Sequence, residues 1–282
     1  MPAVFPPALT PFLDLLRCPV CSAGLRPDPG SLRCERGHTF NIARQGYVSL
    51  LTGARATSGD DASMVHARNQ FLATGKYGPI SRALAGLTAE VLPAHGTVVD
   101  VGCGTGYYLA GVLDQLPGTQ GLGLDSSVQA LRSAARSHER AAMASSDVFR
   151  AFPLVDQAAD VVLNVFAPRN PVEFHRVLRP SGRLIVVRPT HDHIAELRSC
   201  VPAMIAIDPD KEERLQRSLE PFFEATSTCR VEYSAHLTSQ DAVALVGMTP
   251  SARHLDHDAL IGRRLLPDHV TVSVLITSYR PR

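Results

Sequence analysis

The sequence predicts an α/β chain, a doubly wound parallel sheet preceded by a small cysteine-bearing domain, and three observations predict it. From Thr97 to Val187 short β-branched runs alternate with segments of helical periodicity, the mark of right-handed strand–helix–strand crossovers. At the first of these junctions, Asp100-Val101-Gly102-Cys103-Gly104-Thr105-Gly106, glycine recurs at alternate positions. Near the N-terminus, Cys18, Cys21, Cys34 and His38 stand in two pairs.

The elements follow in order. Residues 1–53 are polar and turn-rich, with Pro27-Asp28-Pro29-Gly30 turning the chain between two cysteine-bearing segments, and form the expected first domain. Cys18-Pro-Val-Cys21 and Cys34-Glu-Arg-Gly-His38 both have metal-ligand spacing. Zinc takes four soft or borderline ligands in a tetrahedron, and four protein ligands leave no open position, so the expected site is a structural Zn2+. Residues 54–61 lie in a polar run with two nearby glycines and read as a linker, which makes 62–282 the second domain. Met64, Ala67 and Phe71, then Ile80, Ala83, Leu84, Leu87 and Val91, keep helical spacing and predict two helices broken around Gly75 to Pro79. Strands are expected over Thr97–Val101, Thr119–Leu124, Ala159–Val165 and Arg183–Val187. Helices are expected over Thr105–Leu116, Val128–Ser137 and Val172–Leu178. In the tail, Cys229–Leu237 and Val270–Ser278 alternate apolar and polar residues around a helical stretch Gln240–Val246, which predicts an antiparallel strand pair at a sheet edge.

Composition narrows the function. Of 282 residues 45% are hydrophobic and 20% charged, which excludes a disordered chain. A net charge of +1 excludes a domain basic throughout, so any RNA contact must be local. Residues 1–53 hold Arg17, Arg26, Arg33, Arg36 and Arg44 against Asp14, Asp28 and Glu35, a modest surplus in the cysteine-bearing domain. No run approaches the ~18 apolar residues of a membrane span, the first residues lack a basic start followed by an apolar core, and six cysteines make no disulfide framework. These features point to the cytoplasm and to no membrane partner.

The glycine loop narrows it further. Gly102, Gly104 and Gly106 permit a tight turn and close backbone approach, and the following helix N-terminus favours a carboxylate or phosphate. A dinucleotide fingerprint requires glycine where Tyr107 stands. Acid-x-G-x-G-x-G instead resembles the first motif of the class I S-adenosylmethionine (SAM) methyltransferases. Asp125, closing the next strand, is placed to accept both ribose hydroxyls or to cap the helix after it. In that family the turn Ser146-Asp147-Val148 is where adenine is held.

A zinc ribbon joined to this core is more specific. Arg33 to Phe40, Ala43-Arg44-Gln45-Gly46-Tyr47-Val48, Gly75-Lys76-Tyr77, Gly106-Tyr107-Tyr108, Phe166-Ala167-Pro168-Arg169-Asn170 and Ala242 through Pro250 together resemble the 23S ribosomal RNA guanine-N1 methyltransferases, over almost the whole chain. The resemblance implies methylation of guanine N1 in the helix 35 hairpin of 23S rRNA. Phe166 to Asn170 is closer to the branch that modifies guanosine 748, giving resistance to macrolides such as tylosin or mycinamicin, than to the branch acting at 745. It further implies a cofactor pocket using Tyr77, Tyr108, Leu109 and the His193 of a His-x-x-Glu-Leu motif.

Asn164, at the end of the expected strand Ala159–Val165, is the candidate for contact with the target base, or else a strand-end residue satisfying loop backbone. Arg33, Arg36, Arg44 and Tyr47 are the candidates for RNA contact, although aromatics such as Tyr47 and Phe40 also suit the small core of a ribbon. If the ribbon recognises RNA and the core performs transfer, a chain starting near Ser58 should bind SAM alone. A second copy of the chain, as a homodimer, is the protein partner allowed for. Two rival readings remain: a SAM-dependent methyltransferase of a small molecule, disfavoured by the basic ribbon, and a zinc-ribbon RNA-binding protein without activity, disfavoured by the intact glycine loop.

Overall fold

Glycine and proline fix the ribbon's corners. Gly30, at φ +71°, closes a hairpin between β1 (Leu25–Asp28) and β2 (Ser31–Cys34), and β3 (Thr39–Asn41) completes a three-stranded antiparallel sheet. A proline-rich 3-10 turn, Pro7–Phe12, precedes it and buries Leu9 and Phe12. This computed structural model describes residues 5–53, 59–201, 204, 211–249 and 266–282. Of the expected linker only 59–61 are described; residues 54–58 lie outside them.

Asp61 caps α1 (Ala62–Ala73) by accepting the amide protons of Ser63 and Met64, and α2 (Gly78–Ala89) starts with proline in its first turn. These are the two expected helices. The core alternates β4 (Thr97–Val101), α3 (Tyr107–Gln115), β5 (Gln120–Asp125), α4 (Val128–Ala134), β6 (Ala141–Ser145), β7 (Ala159–Val165), α5 (Pro171–Val177) and β8 (Leu178–Pro189). Then come α6 (Ala195–Cys200), α7 (Lys211–Leu219), β9 (Phe223–His236), α8 (Ser239–Gly247) and β10 (His269–Pro281). Predicted and observed elements agree in kind. α3 begins two residues later than expected because Gly106 occupies the left-handed region at φ +81° as its N-cap, and α4 stops at Ala134 rather than Ser137. The short helices α6 and α7 were not legible in the pattern.

The seven main strands are ordered β6-β5-β4-β7-β8-β10-β9, parallel from β6 to β8, with β10 antiparallel to both neighbours. This is the anticipated doubly wound sheet with an antiparallel edge pair. Sheet order reverses beside β4, so the C-terminal ends of β4, β5 and β7 open on one crevice. Both faces are covered, which explains why successive residues of β4 and β7 are buried instead of alternating with exposed ones.

The covering is unequal, and it corrects the expectation of a separable ribbon. One face carries side chains of α1, α2, α3, α4, α6 and α8. On the other face the crossover from β6 to β7 holds no helix, and Leu9, Phe12, Leu16, Leu32, Phe40, Ile42 and Leu50 pack there with Val99, Val101, Leu122, Leu124 and α5. Leu16 forms a bridge with Leu154 inside that crossover. Val48 extends the sheet at edge strand β6, donating to Met143 O at 2.9 Å and accepting from Ser145 N at 2.8 Å. The N-terminal segment thus fills the place of a missing crossover helix. No helix among the described residues is long and apolar enough to cross a membrane.

Candidate functional site

The four expected metal ligands converge. The Sγ atoms of Cys18, Cys21 and Cys34 and a ring nitrogen of His38 lie within 4.8 Å of one another. His38 Nδ1 stands 3.6 Å from Cys18 Sγ and 3.3 Å from Cys34 Sγ, and Cys21 Sγ lies 3.8 Å from Cys34 Sγ. Zinc bond lengths of about 2.3 Å to sulfur and about 2.0 Å to nitrogen require tetrahedral edges of roughly 3.5–3.8 Å, so the set fits a zinc ion. Gly37, at φ +86°, donates to Cys34 O at 2.9 Å and turns the chain so that His38 can face back.

The RNA candidates separate by burial. Arg33, Arg36 and Arg44 are exposed, with no acidic partner among the described residues. Tyr47 is only 6% exposed and belongs to the core on the helix-covered face, and Phe40 is buried in the cluster that the ribbon shares with the sheet. Tyr47 therefore presents no face to a base, which corrects its reading as an RNA contact.

The glycine loop lies where β4 ends. Gly102, Gly104 and Gly106 all have positive φ (+78°, +54° and +81°). A Cβ on Gly102 would sit 2.4 Å from Ala167 Cβ, and one on Gly104 would sit 2.9 Å from Arg68 Nη1. Asp125 accepts from Gly104 N and Ser127 N, both at 2.8 Å, and so holds the loop against β5 while Ser127 caps α4. Asp100 is fully buried, and its Oδ1 has no hydrogen-bond partner. Burial, then the neighbouring Asp125, push its carboxyl up to about 8. An orphaned buried carboxyl beside a glycine cradle fits the α-ammonium of SAM. Asp147 is buried in the turn after β6 and accepts from Phe149 N at 3.0 Å.

Arg68 of α1 was not anticipated. Its guanidinium lies over Gly104, pairs with Asp60 at 2.7 Å and donates to Met248 O at 3.1 Å. No local motif announces it, because only the fold brings α1 over the loop. Leu109 points its side chain into the core, so its contribution to a pocket is its amide in the unpaired first turn of α3.

An aromatic wall completes the crevice. Tyr77 Oη is 3.1 Å from His193 Nε2, and His193 Nδ1 accepts from Ser273 N at 3.2 Å. Burial, then the Arg198 cation, lower His193 to about 4, so the ring is neutral with its proton on Nε2, and it donates to Tyr77. The Tyr77 hydroxyl proton is left to point elsewhere. Phe166 rests against Tyr77, Tyr108 and His193 with ring centroids 5.9–6.4 Å apart.

Asn164 stands in the backbone-satisfying role. Fully buried, its amide donates to Pro168 O at 2.9 Å and Val101 O at 3.3 Å, clasping the loop after β7 to the glycine loop. Its Oδ1 is buried without a hydrogen-bond partner, so the donating half of the amide positions the loop while the accepting half is unused. Asp160 and Glu173 are likewise structural: Asp160 accepts from Thr97 N and pairs with Arg179, and Glu173 accepts from Phe152 N and pairs with Arg176.

Comparison with known proteins agrees with this geometry. A zinc-ribbon family model described as "RlmA, N-terminal" matches residues 16–55, and a methyltransferase domain model matches 98–182. The chain is 45% identical over 272 residues to a Streptomyces fradiae protein named 23S rRNA (guanine(748)-N(1))-methyltransferase, covering 94% of this chain and 96% of that one. It is 44% identical over 290 residues to a Micromonospora griseorubida protein provisionally named a 23S rRNA (guanine-N(1)-)-methyltransferase, covering 95% and 98%. A solved methyltransferase structure from Anabaena variabilis shares the fold at 14% identity and a TM-score of 0.51, over 70% of this chain and 96% of that one.

Proposed function

Because the chain belongs to the 23S rRNA guanine-N1 methyltransferases, zinc-ribbon enzymes that use SAM, we propose that its target is the guanine of the helix 35 hairpin at position 748. Macrolide resistance of the tylosin or mycinamicin kind is the expected consequence. The observation that carries the reading is the 45% identity, along nearly the full length of both chains, to a protein named for guanine 748. The orphaned Asp100 at the glycine loop supports retained activity against the rival reading of an inactive RNA binder.

SAM, when bound, supplies a methyl group on a sulfonium leaving group. The chain's share is then orientation, which is worth up to ~7–11 kcal/mol. Asp100 would take the ammonium, Arg68, which pairs with Asp60 over Gly104, would face the carboxylate, and the positive-φ glycines would let the backbone lie close. Asp125 would keep its backbone bonds and accept the ribose hydroxyls on its remaining lone pairs, and Asp147 would meet the adenine. Tyr77, Tyr108, the Leu109 amide and neutral His193 wall the methionine end. Cys18, Cys21, Cys34 and His38 hold the structural zinc, and Arg33, Arg36 and Arg44 contact phosphates of the hairpin. Guanine N1 would give its proton to water for its lone pair to accept the methyl group, and the share of these residues would be to hold base and cofactor in that alignment.

The test is transfer of labelled methyl to 23S rRNA from a strain lacking the modification, followed by primer extension. A methyl on N1 blocks the pairing edge, so extension should stop beside guanine 748. A stop beside 745 assigns the other branch, and label in no RNA rejects the reading.

A further inference from the structure

One residue of the crevice has no task in the reading above and an unusual conformation. Phe166, immediately after β7, has φ +52°, a region that bulky side chains rarely occupy and that persists only where the surroundings impose it. Here they do: Phe166 N donates to Val187 O at 3.1 Å, Ala167 is seated where a Cβ of Gly102 would be, and Asn164 grips Pro168 O. The result of the strain is a large apolar ring left 39% exposed at the mouth of the crevice, instead of turned into the core. The ring is nearly parallel to His193, at 26° and a centroid distance of 5.9 Å, so it is backed on one side.

Guanine N1 lies on the pairing edge, so methyl transfer requires the base to leave its stack and be held by its face. We infer that Phe166, backed by His193, is the stacking platform for the extruded target guanine, and thus a substrate-binding residue of the transfer reaction. Its place fits: the end of β7 adjoins β4 and its glycine loop, so a base on Phe166 stands beside the cofactor crevice. The wall formed by Tyr77, Tyr108 and His193 keeps the ring from rotating inward. The inference rests on RNA as the substrate, and the test separates the two.

The chain contains no tryptophan, so Phe166→Trp creates a single reporter at the platform. The wild-type protein is first shown to methylate a helix 35 hairpin; failure there would remove the RNA reading itself. Phe166→Trp protein is then saturated with S-adenosylhomocysteine and titrated with that hairpin. Its emission should be quenched by stacking on the target guanine, and an abasic site at that position should abolish the quench. Phe166→Ala and Phe166→Leu should leave SAM affinity unchanged and lower kcat/KM for RNA about 5- to 150-fold, the range for loss of one base–aromatic stack. Phe166→Tyr should retain transfer, because it keeps a ring. Phe166→Gly, which suits left-handed backbone, should keep the melting temperature and lose the same transfer. Equal quenching by intact and abasic hairpins, wild-type transfer by Phe166→Leu, or a fall in SAM affinity matching the fall in transfer would each overturn the platform.

Discussion

Asp100 carries the most consequence for a single side chain. Buried without a partner for Oδ1 and facing Asp125, its carboxyl is pushed up to about 8 and is mostly protonated in the free protein at pH 7. Folded chains therefore hold a proton that unfolded chains release near pH 4, and the free protein should lose stability as pH rises from there toward 8. An ammonium placed beside it favours the ionised form, so SAM binding at pH 7 should release up to about one proton, and affinity should rise up to about tenfold per pH unit toward 8. Calorimetry in buffers of different ionisation enthalpy measures that release. Asp100→Asn should abolish it, and an undiminished release by the variant would remove Asp100 from the pocket. Asp100, Asp125 and the zinc ligands were legible because each sits in a short local pattern tied to its chemistry. Arg68 was not, since α1 reaches Gly104 only through the fold, and the backbone strain of Phe166 leaves no mark on composition. Tyr47 misled because its residue type suits a base stack as well as a core.

At the level of elements, period and spacing located β4 and β7 to the residue and the antiparallel pair β9 and β10 at the sheet edge. They failed where tertiary contacts decide. The 3-10 turn Pro7–Phe12 has neither period, and α6 starts from Ile194 at φ +51°. The ribbon's strands are too short to show alternation, yet they fix where its charge is displayed. Arg33 on β2, Arg36 in the knuckle and Arg44 after β3 all face solvent without an acid among the described residues. Replacing all three with alanine should weaken RNA binding and flatten the dependence of log K on log salt by about two to three, at roughly 0.7–0.9 per phosphate contact. SAM affinity should hold, because none of the three approaches the glycine loop. An unchanged salt slope would move RNA recognition off the ribbon.

Across the whole molecule, the ribbon and the sheet share one buried cluster. Leu9, Phe12, Leu16 and Leu50 are almost fully buried against β4, β5, β6 and α5, on the face where the β6–β7 crossover supplies no helix. Burial contributes about 1.5–3 kcal/mol per large apolar side chain, so these four account for ~6–12 kcal/mol. A domain's net stability is only ~5–15 kcal/mol. A chain beginning near Ser58 should therefore aggregate or fail to bind SAM, despite keeping every glycine and acid of the pocket. The zinc ligands tie the same segment together, since Cys18 stands two residues after Leu16 and both Cys18 and Cys34 lie within the cluster. Removing zinc with a chelator should lower the melting temperature of the whole protein in one transition and reduce SAM binding with it, and restored zinc should recover both. If the chelated protein keeps its SAM affinity and melts in two steps, the ribbon and the sheet are independent, and the shared cluster does not couple them.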